Sequence, residues 1–360
     1  MPVVGCYWMV WDPDAASYPD TGAGDYSCGP AEIRRLSTGL RFDSLEDALA
    51  HAELVDGFCL GDGDHHVASL NWEPGSGWGA ASSLRLVGNG LERTSLVGEI
   101  TAASPGYSFL TLDIDGRVAI EGLHVEGLAL RVLADQAASL TDLSLGVLGG
   151  MAPLLTVNSP DMQIDGLTVH GARLEAGSPI VLYGSGMVRG LVLTDNLLMA
   201  GQLLQVHQQI VLLDPVISGN VAVGDEIGAV AIQAYGELRI LGGQLTDNSV
   251  SGPLIYASTQ LELEGVELSG NSGSWQGVVE IAGHALVSGG VVQDNVAGAG
   301  VLGVTEHGSL QLDGVDFGLG AQANYPCDVA ALYNGDLLTR CIGDELGQDA
   351  SASCDSSGCD

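Results

Sequence analysis

The sequence predicts an all-β chain wound as a parallel β-helix of roughly ten coils, opened by one short amphipathic helix. Three observations lead there. A short motif returns every twenty-odd residues over the second half of the chain. Glycine is abundant (53 of 360 residues) while aromatic residues make up only 5%, which suits a core of small and aliphatic side chains. Helical periodicity is confined to a single segment.

Residues 1–41 carry Trp8, Trp11, Pro13, Pro19 and several glycines without a sustained period, and read as an irregular lead segment held by a disulfide. In SLEDALAHAELV, Ser44 is placed to cap a helix with Asp47 three residues on. Leu45, Ala48, Leu49, Ala52 and Val55 recur at helical spacing until Gly57. The predicted helix is Ser44–Val55, and its expected work is to cover one open end of the rod. A brief apolar strand and glycine turn, GFCLGDGDHHV, follow it.

From Leu84 to Gly320 the chain repeats. The clearest copies end at Asn196, Asn220, Asn248, Asn271 and Asn295, with spacings by subtraction of 24, 28, 23 and 24. An aliphatic residue stands three positions before each (Leu193, Ile217, Leu245, Leu268, Val292), and Gly190, Asp214, Gly242, Gly265 and Gly289 stand six before. VAIEGLHVEG, MQIDGLTVHG and LQLDGVDFG keep the strand-glycine-strand rhythm without the asparagine. This period is too short for a propeller blade and lacks paired helices, so each unit is one coil whose equivalent residues stack. The asparagines are then structural, bonding each other and nearby backbone at a turn. The aliphatic positions form an inward stack, and glycine serves a tight bend. With one strand spacing per coil, about 4.8 Å, the rod is somewhat under ~50 Å long. Residues 42–320 hold helix and coils. Residues 321–360 make a cysteine-containing cap, with ASASCDSSGCD expected to leave the body.

The net charge is −34, from 45 acidic residues against 11 basic ones, all arginine. Such a field repels nucleic-acid phosphates and anionic lipid, so neither is an expected partner. No run of 18 uncharged apolar residues is present, so no membrane insertion is expected, and no signal peptide is visible. The sequence calls for no cofactor; calcium is the ion the field would gather, without a site being specified. The seven cysteines lie at Cys6, Cys28, Cys59, Cys327, Cys341, Cys354 and Cys359, near the two ends, as expected of disulfides in an oxidising compartment. Cys6–Cys28 and Cys354–Cys359 are sensible pairings, though the connectivity stays open and one thiol is left over.

Taken with SLEDALAHAELVDG, FCLGDGDH and LRLVGNGLERTSLVG in that order, the chain resembles the pectin-lyase-like superfamily of right-handed parallel β-helix proteins over about Phe42 to Gly320. Its LTDN and LSGN units are similar to repeats of bacterial secreted and cell-surface members. The resemblance implies a right-handed helix, an extracellular or cell-surface setting, and polysaccharide or surface glycan as partner. Some members cleave polysaccharides and others only bind or scaffold.

Catalysis has few candidates. For a lyase the resemblance implies an Arg or Lys base beside calcium-binding carboxylates, and Arg117, Arg131, Arg173, Arg189 and Arg239 share no register with an acidic cluster, so they read as solvated. Hydrolysis needs two carboxyls. Glu264 and Glu267 in LEGVEL match Asp313 and Asp316 in LDGVDF position for position, two coils apart, and these four are the carboxylates to test as catalytic residues. Asp62, Gly63, Asp64, His65 and His66 place metal-type donors close together but read as a turn, and no metal site is assigned. The histidines His124, His170, His207, His284 and His307 fall in different coils and read as single solvated or half-buried side chains. Trp275, in a loop after a turn asparagine, is the candidate sugar-stacking residue. The expectation is a monomeric, non-catalytic, adhesin-like or carbohydrate-binding module, with a polysaccharide lyase or glycoside hydrolase as the alternative.

Overall fold

The structure is a computed structural model that describes residues 28–53, 55–72, 83–99, 108–146, 153–175, 177–223, 230–273, 277–319, 323–332, 340–343, 346, 350–355 and 358–359. The chain forms a parallel β-solenoid of about ten turns. One coil shows the plan. Gln202–Val206 lies in a twelve-stranded sheet; a short turn leads to Ile210–Leu213 in a twenty-two-stranded sheet; Val216–Ser218 continues in that sheet after a bend, and Val221–Ala222 adds to a narrow four-stranded sheet. Each strand pairs in parallel with its equivalent one coil away, as Ile210 does with Leu238 and Ile217 with Leu245.

Local chemistry sets the corners. Between the two strands of the large sheet the backbone must turn left-handed at one residue. The sequence supplies Gly190, Asp214, Gly242, Gly265 and Gly289 there, with φ of 60°, 48°, 67°, 64° and 58°. Asp is among the few L residues that tolerate this conformation. A second left-handed residue immediately precedes the first five ladder asparagines, and it alternates: Asp195, Gly219, Asp247, Gly270, Asp294. Spacing explains the alternation. A Cβ on Gly219 would lie 2.6 Å from Asp195 Oδ1, and one on Gly270 would lie 2.5 Å from Asp247 Oδ1. Each carboxylate thus fills the space over the next coil's glycine, and no two carboxylates in this column are adjacent.

The inward stack Leu193, Ile217, Leu245, Leu268 and Val292 is at most 2% exposed. Each such side chain contributes about 1.5–3 kcal/mol of burial. Beside it runs the asparagine ladder, with six rungs. Asn324 joins the five expected, although an insertion places it 29 residues after Asn295. Each rung spans three coils. The Nδ2 of Asn220 donates back to Leu193 O (2.8 Å) and forward to Asn248 Oδ1 (2.9 Å), and the same oxygen accepts the Asn220 backbone N–H (3.1 Å). The first rung accepts from Ala172 N–H, and the last donates to Asp328 Oδ1, whose other oxygen accepts from Leu346 N–H.

The ends differ from expectation in several ways. The helix is Leu45–Ala50, capped by the Ser44 hydroxyl accepting Asp47 N–H, and it stops at His51. The apolar spacing runs on to Val55, but that residue opens the strand Val55–Leu60 and is 55% exposed, because the chain there must pair into the first coil. The helix buries Leu45, Ala48 and Leu49 in the common core, and Trp72 donates its indole N–H to Leu49 O. The sheet edge itself is met by Ile33–Arg35, antiparallel to Val55–Leu60, so the lead segment is not wholly irregular. At the other end Ala350–Asp355 pairs antiparallel with Ser309–Val315, so the low-complexity tail lies on the body. Unsatisfied ladder groups at an open edge favour such covering. Val329–Leu332 is a further parallel strand of the twelve-stranded sheet, and Arg340–Gly343 closes it antiparallel. Cys28 bonds Cys59, which replaces the Cys6–Cys28 pairing; Cys6 itself lies outside the described residues. Cys354–Cys359 forms as expected, and Cys327 is also disulfide-bonded.

Candidate functional site

The outward face of the twelve-stranded sheet carries two neighbouring columns of chemistry-bearing side chains. Register defines them. Val181, Gln205, Gln233, Tyr256 and Glu280 are consecutive partners in one column. Two residues further along the strands, Tyr183, His207 and Tyr235 make the other, on the same face because strand side chains alternate.

The rings of Tyr183, His207 and Tyr235 stack, with centroids 4.4 Å and 5.0 Å apart and planes tilted by 20° and 26°. The coil spacing imposes this, since equivalent residues of adjacent coils sit about 4.8 Å apart. Tyr183 and Tyr235 are 42% and 43% exposed, so the stack shows its ends and edges to water. His207 is half-buried between them, and burial lowers its pKa from the ordinary value, which favours the neutral imidazole.

Among the described residues, three polar groups on this face have no hydrogen-bond partner. His207 Nε2 and Gln233 Oε1 are buried atoms without one. Glu280 is only 8% exposed and makes no hydrogen bond or ion pair. Its neighbours in the column are Tyr256 and Gly303. Desolvation pushes the Glu280 carboxyl up to about 7. The Tyr256 phenol is also raised, by burial first and then by the Glu280 and Tyr235 side chains. Nearby, Gln205 Nε2 donates to Gln202 Oε1, which also accepts from Ser178 Oγ. A buried polar atom left unpaired costs ~1–3 kcal/mol, and His207 Nε2 and Gln233 Oε1 both carry that cost on this face.

The carboxylates singled out from sequence lie on the other large sheet. Glu264 and Asp313 flank Ser288 in consecutive coils, and Glu267 and Asp316 flank Val291, which reproduces the two-coil offset. Two spacings amount to about 9.6 Å. Glu267 is held by Gln244 Nε2 and Ser269 Oγ, and Asp316 accepts from Gly318 N–H in a turn. Trp275 lies outside the described residues. Arg239 is not simply solvated, because it pairs with Glu262 on the next coil, and Arg131 stands over the Phe109 ring. On the same large sheet a groove of about 420 Å³ runs past Gln163, Met187, Arg189 and Val211.

The run from Asp62 to His66 is a turn followed by the strand Gly63–Val67. Asp62 accepts from Asn89 and Arg93, and His65 Nε2 contacts Gly61 O. Among the described residues no three His, Cys, Asp or Glu side chains are grouped so as to hold a metal. No helix among them is long and apolar enough to cross a membrane.

Comparison with protein-family models, with curated proteins and with solved structures gives no match. What fold and site define is a class: a parallel β-solenoid with an asparagine ladder, carrying an aromatic and amide-rich strip on one sheet.

Proposed function

We propose that this chain is a non-catalytic carbohydrate-binding module of a secreted or cell-surface protein, a β-helix of the pectin-lyase-like kind, whose twelve-stranded sheet holds a neutral glycan. The observation that carries the reading is the coincidence of the stacked rings with three unpartnered polar groups, His207 Nε2, Gln233 Oε1 and Glu280. Sugars supply what such a face lacks. Their hydroxyls both donate and accept, and their C–H faces pack on exposed aromatic surface. The strip covers five coils, about four strand spacings or ~19 Å, which is room for a short run of sugar units. A net charge of −34 argues for an uncharged polymer over a polyanion.

The test is retention of the full chain on neutral and acidic polysaccharides, for wild type and for Tyr235→Ala, with reducing ends measured in the same samples. Retention on a neutral polymer that falls at least tenfold in Tyr235→Ala, without product release, supports the reading. Retention unaffected by that change refutes this face as the site. Release of reducing ends lost in Glu264→Gln would make the protein an enzyme acting from the opposite sheet.

A further inference from the structure

We propose that Glu280 is the specificity-determining residue of this face: as an uncharged acid it donates its O–H to an oxygen of a neutral saccharide, and binding is lost when that proton leaves. The inference rests on the glycan-binding reading of the face and adds a proton requirement to it.

The geometry is unusual for a surface carboxyl. Glu280 points outward from the middle of the strand Val279–Ile281, yet it is nine-tenths buried and has no hydrogen-bond or ion-pair partner among the described residues. The strands on either side present no cation to it. Ile255–Ala257 offers the Tyr256 phenol, with Tyr235 one coil beyond. Leu302–Thr305 offers Gly303, which has no side chain, and Ala282 is the next outward residue on its own strand. An ionised carboxylate here would be poorly hydrated and unpaired, and a bound sugar would strip away its remaining water. A carboxylic acid fits, since its O–H donates while its second oxygen accepts. Gly303 beside it has no side chain that could hydrogen-bond the carboxyl.

Other titrations on the face lie elsewhere. His207 is shifted down from its ordinary value and Tyr256 up from its own, so between pH 6.5 and 10, their reference values, Glu280 is the facing group that changes charge. Its carboxyl is pushed to about 7 by burial. If only the protonated form binds, the competent fraction falls from nearly all at pH 5.5 to about one part in thirty at pH 8.5. The apparent affinity then weakens about 30-fold.

Affinity electrophoresis of the full chain through gels that each hold one neutral polysaccharide (galactomannan, xyloglucan, β-glucan or amylopectin) at pH 5.5, 7.0 and 8.5 tests this. Wild type is expected to be retarded at pH 5.5, with affinity about 30-fold weaker at pH 8.5. Glu280→Gln, which keeps shape and a donor but cannot ionise, is expected to be retarded equally at all three. Equal retardation of wild type at pH 5.5 and 8.5 overturns the proton requirement and leaves the glycan-binding reading standing. A Glu280→Gln profile that falls with pH as wild type does would assign the titration to another group, with the same consequence. No retardation by any of the four polymers at any pH overturns both. The wild-type profile decides between these outcomes without any variant.

Discussion

Removing one rung from the middle of the asparagine ladder should cost far more than one hydrogen bond. In Asn248→Ala the backbone N–H of Asn248 still donates to Asn271 Oδ1 (3.1 Å), but everything made by the side chain goes. Asn220 N–H loses its acceptor (3.1 Å) and is stranded in a residue of zero exposure. Asn220 Nδ2 loses one of two acceptors, and Ile217 O, Thr246 O and Asn271 Oδ1 each lose a donor (2.8, 3.0 and 2.9 Å). A stranded buried donor costs ~1–3 kcal/mol and each further net bond ~0.5–1.5, giving roughly 3–5 kcal/mol after partial relaxation. For a chain of this size that lowers the melting temperature by roughly 4–7 °C. Asn248→Asp should cost more, since it keeps the acceptor, loses every donor and turns a carboxylate toward Asn271 Oδ1. Thermal and urea unfolding followed by circular dichroism give both values. A double-mutant cycle supplies the refutation. Asn220→Ala and Asn248→Ala share bonds and should be non-additive by more than ~0.5 kcal/mol, whereas Asn196→Ala and Asn295→Ala should add. Additivity for the adjacent pair, or a cost below ~1 kcal/mol for Asn248→Ala, would refute the ladder as a cooperative element.

Stability should also depend on Glu280. Its pKa is raised on folding from 4.5 to about 7, so its stabilising contribution is whole below pH 4.5 and lost as pH rises to about 7, roughly 3 kcal/mol in all. Urea midpoints at pH 5 and 8 should therefore diverge less in Glu280→Gln than in wild type, with the variant the more stable at pH 8. Gly219→Ala places a Cβ against Asp195 Oδ1 at φ 65° and should destabilise by about 1–3 kcal/mol, whereas Gly219→Ala combined with Asp195→Gly should recover part of that; melting curves decide it. Reducing Cys28–Cys59, which closes 31 residues, should weaken the N-terminal edge by about 3–4 kcal/mol. Faster proteolysis within residues 28–42 would report it.

The sequence revealed the solenoid because its period, bend residues and buried asparagines are all local signals repeated in register. Asn324 escaped because an insertion breaks the spacing, and the terminal strands escaped because they pair antiparallel, which no repeat announces. The proposed binding face was hidden for a different reason. Outward positions differ in type from coil to coil, so Tyr183, His207 and Tyr235 do not look like copies of one another. Their spacing nevertheless betrays them. They stand 13 residues before Asn196, Asn220 and Asn248, while Gln205, Gln233, Tyr256 and Glu280 stand 15 before Asn220, Asn248, Asn271 and Asn295. Indexing each residue to its asparagine would have drawn both columns, and His207 would not have read as a solitary histidine. The burial of Glu280 had no such trace, because it depends on what lies across neighbouring coils. Glu264, Glu267, Asp313 and Asp316 were found by their offset, but the offset reports shared register, which any repeated position in a solenoid has.

The account stands most directly on which face a neutral glycan covers. Hydroxyl-radical footprinting of the full chain, with and without a polysaccharide that retards it, reads this at individual side chains. Modification of Tyr183, Tyr235 and Tyr256 should fall several-fold on binding, while Met187 and Leu286 on the opposite large sheet stay unchanged. Protection of Met187 or Leu286 with the three tyrosines unaffected would contradict it.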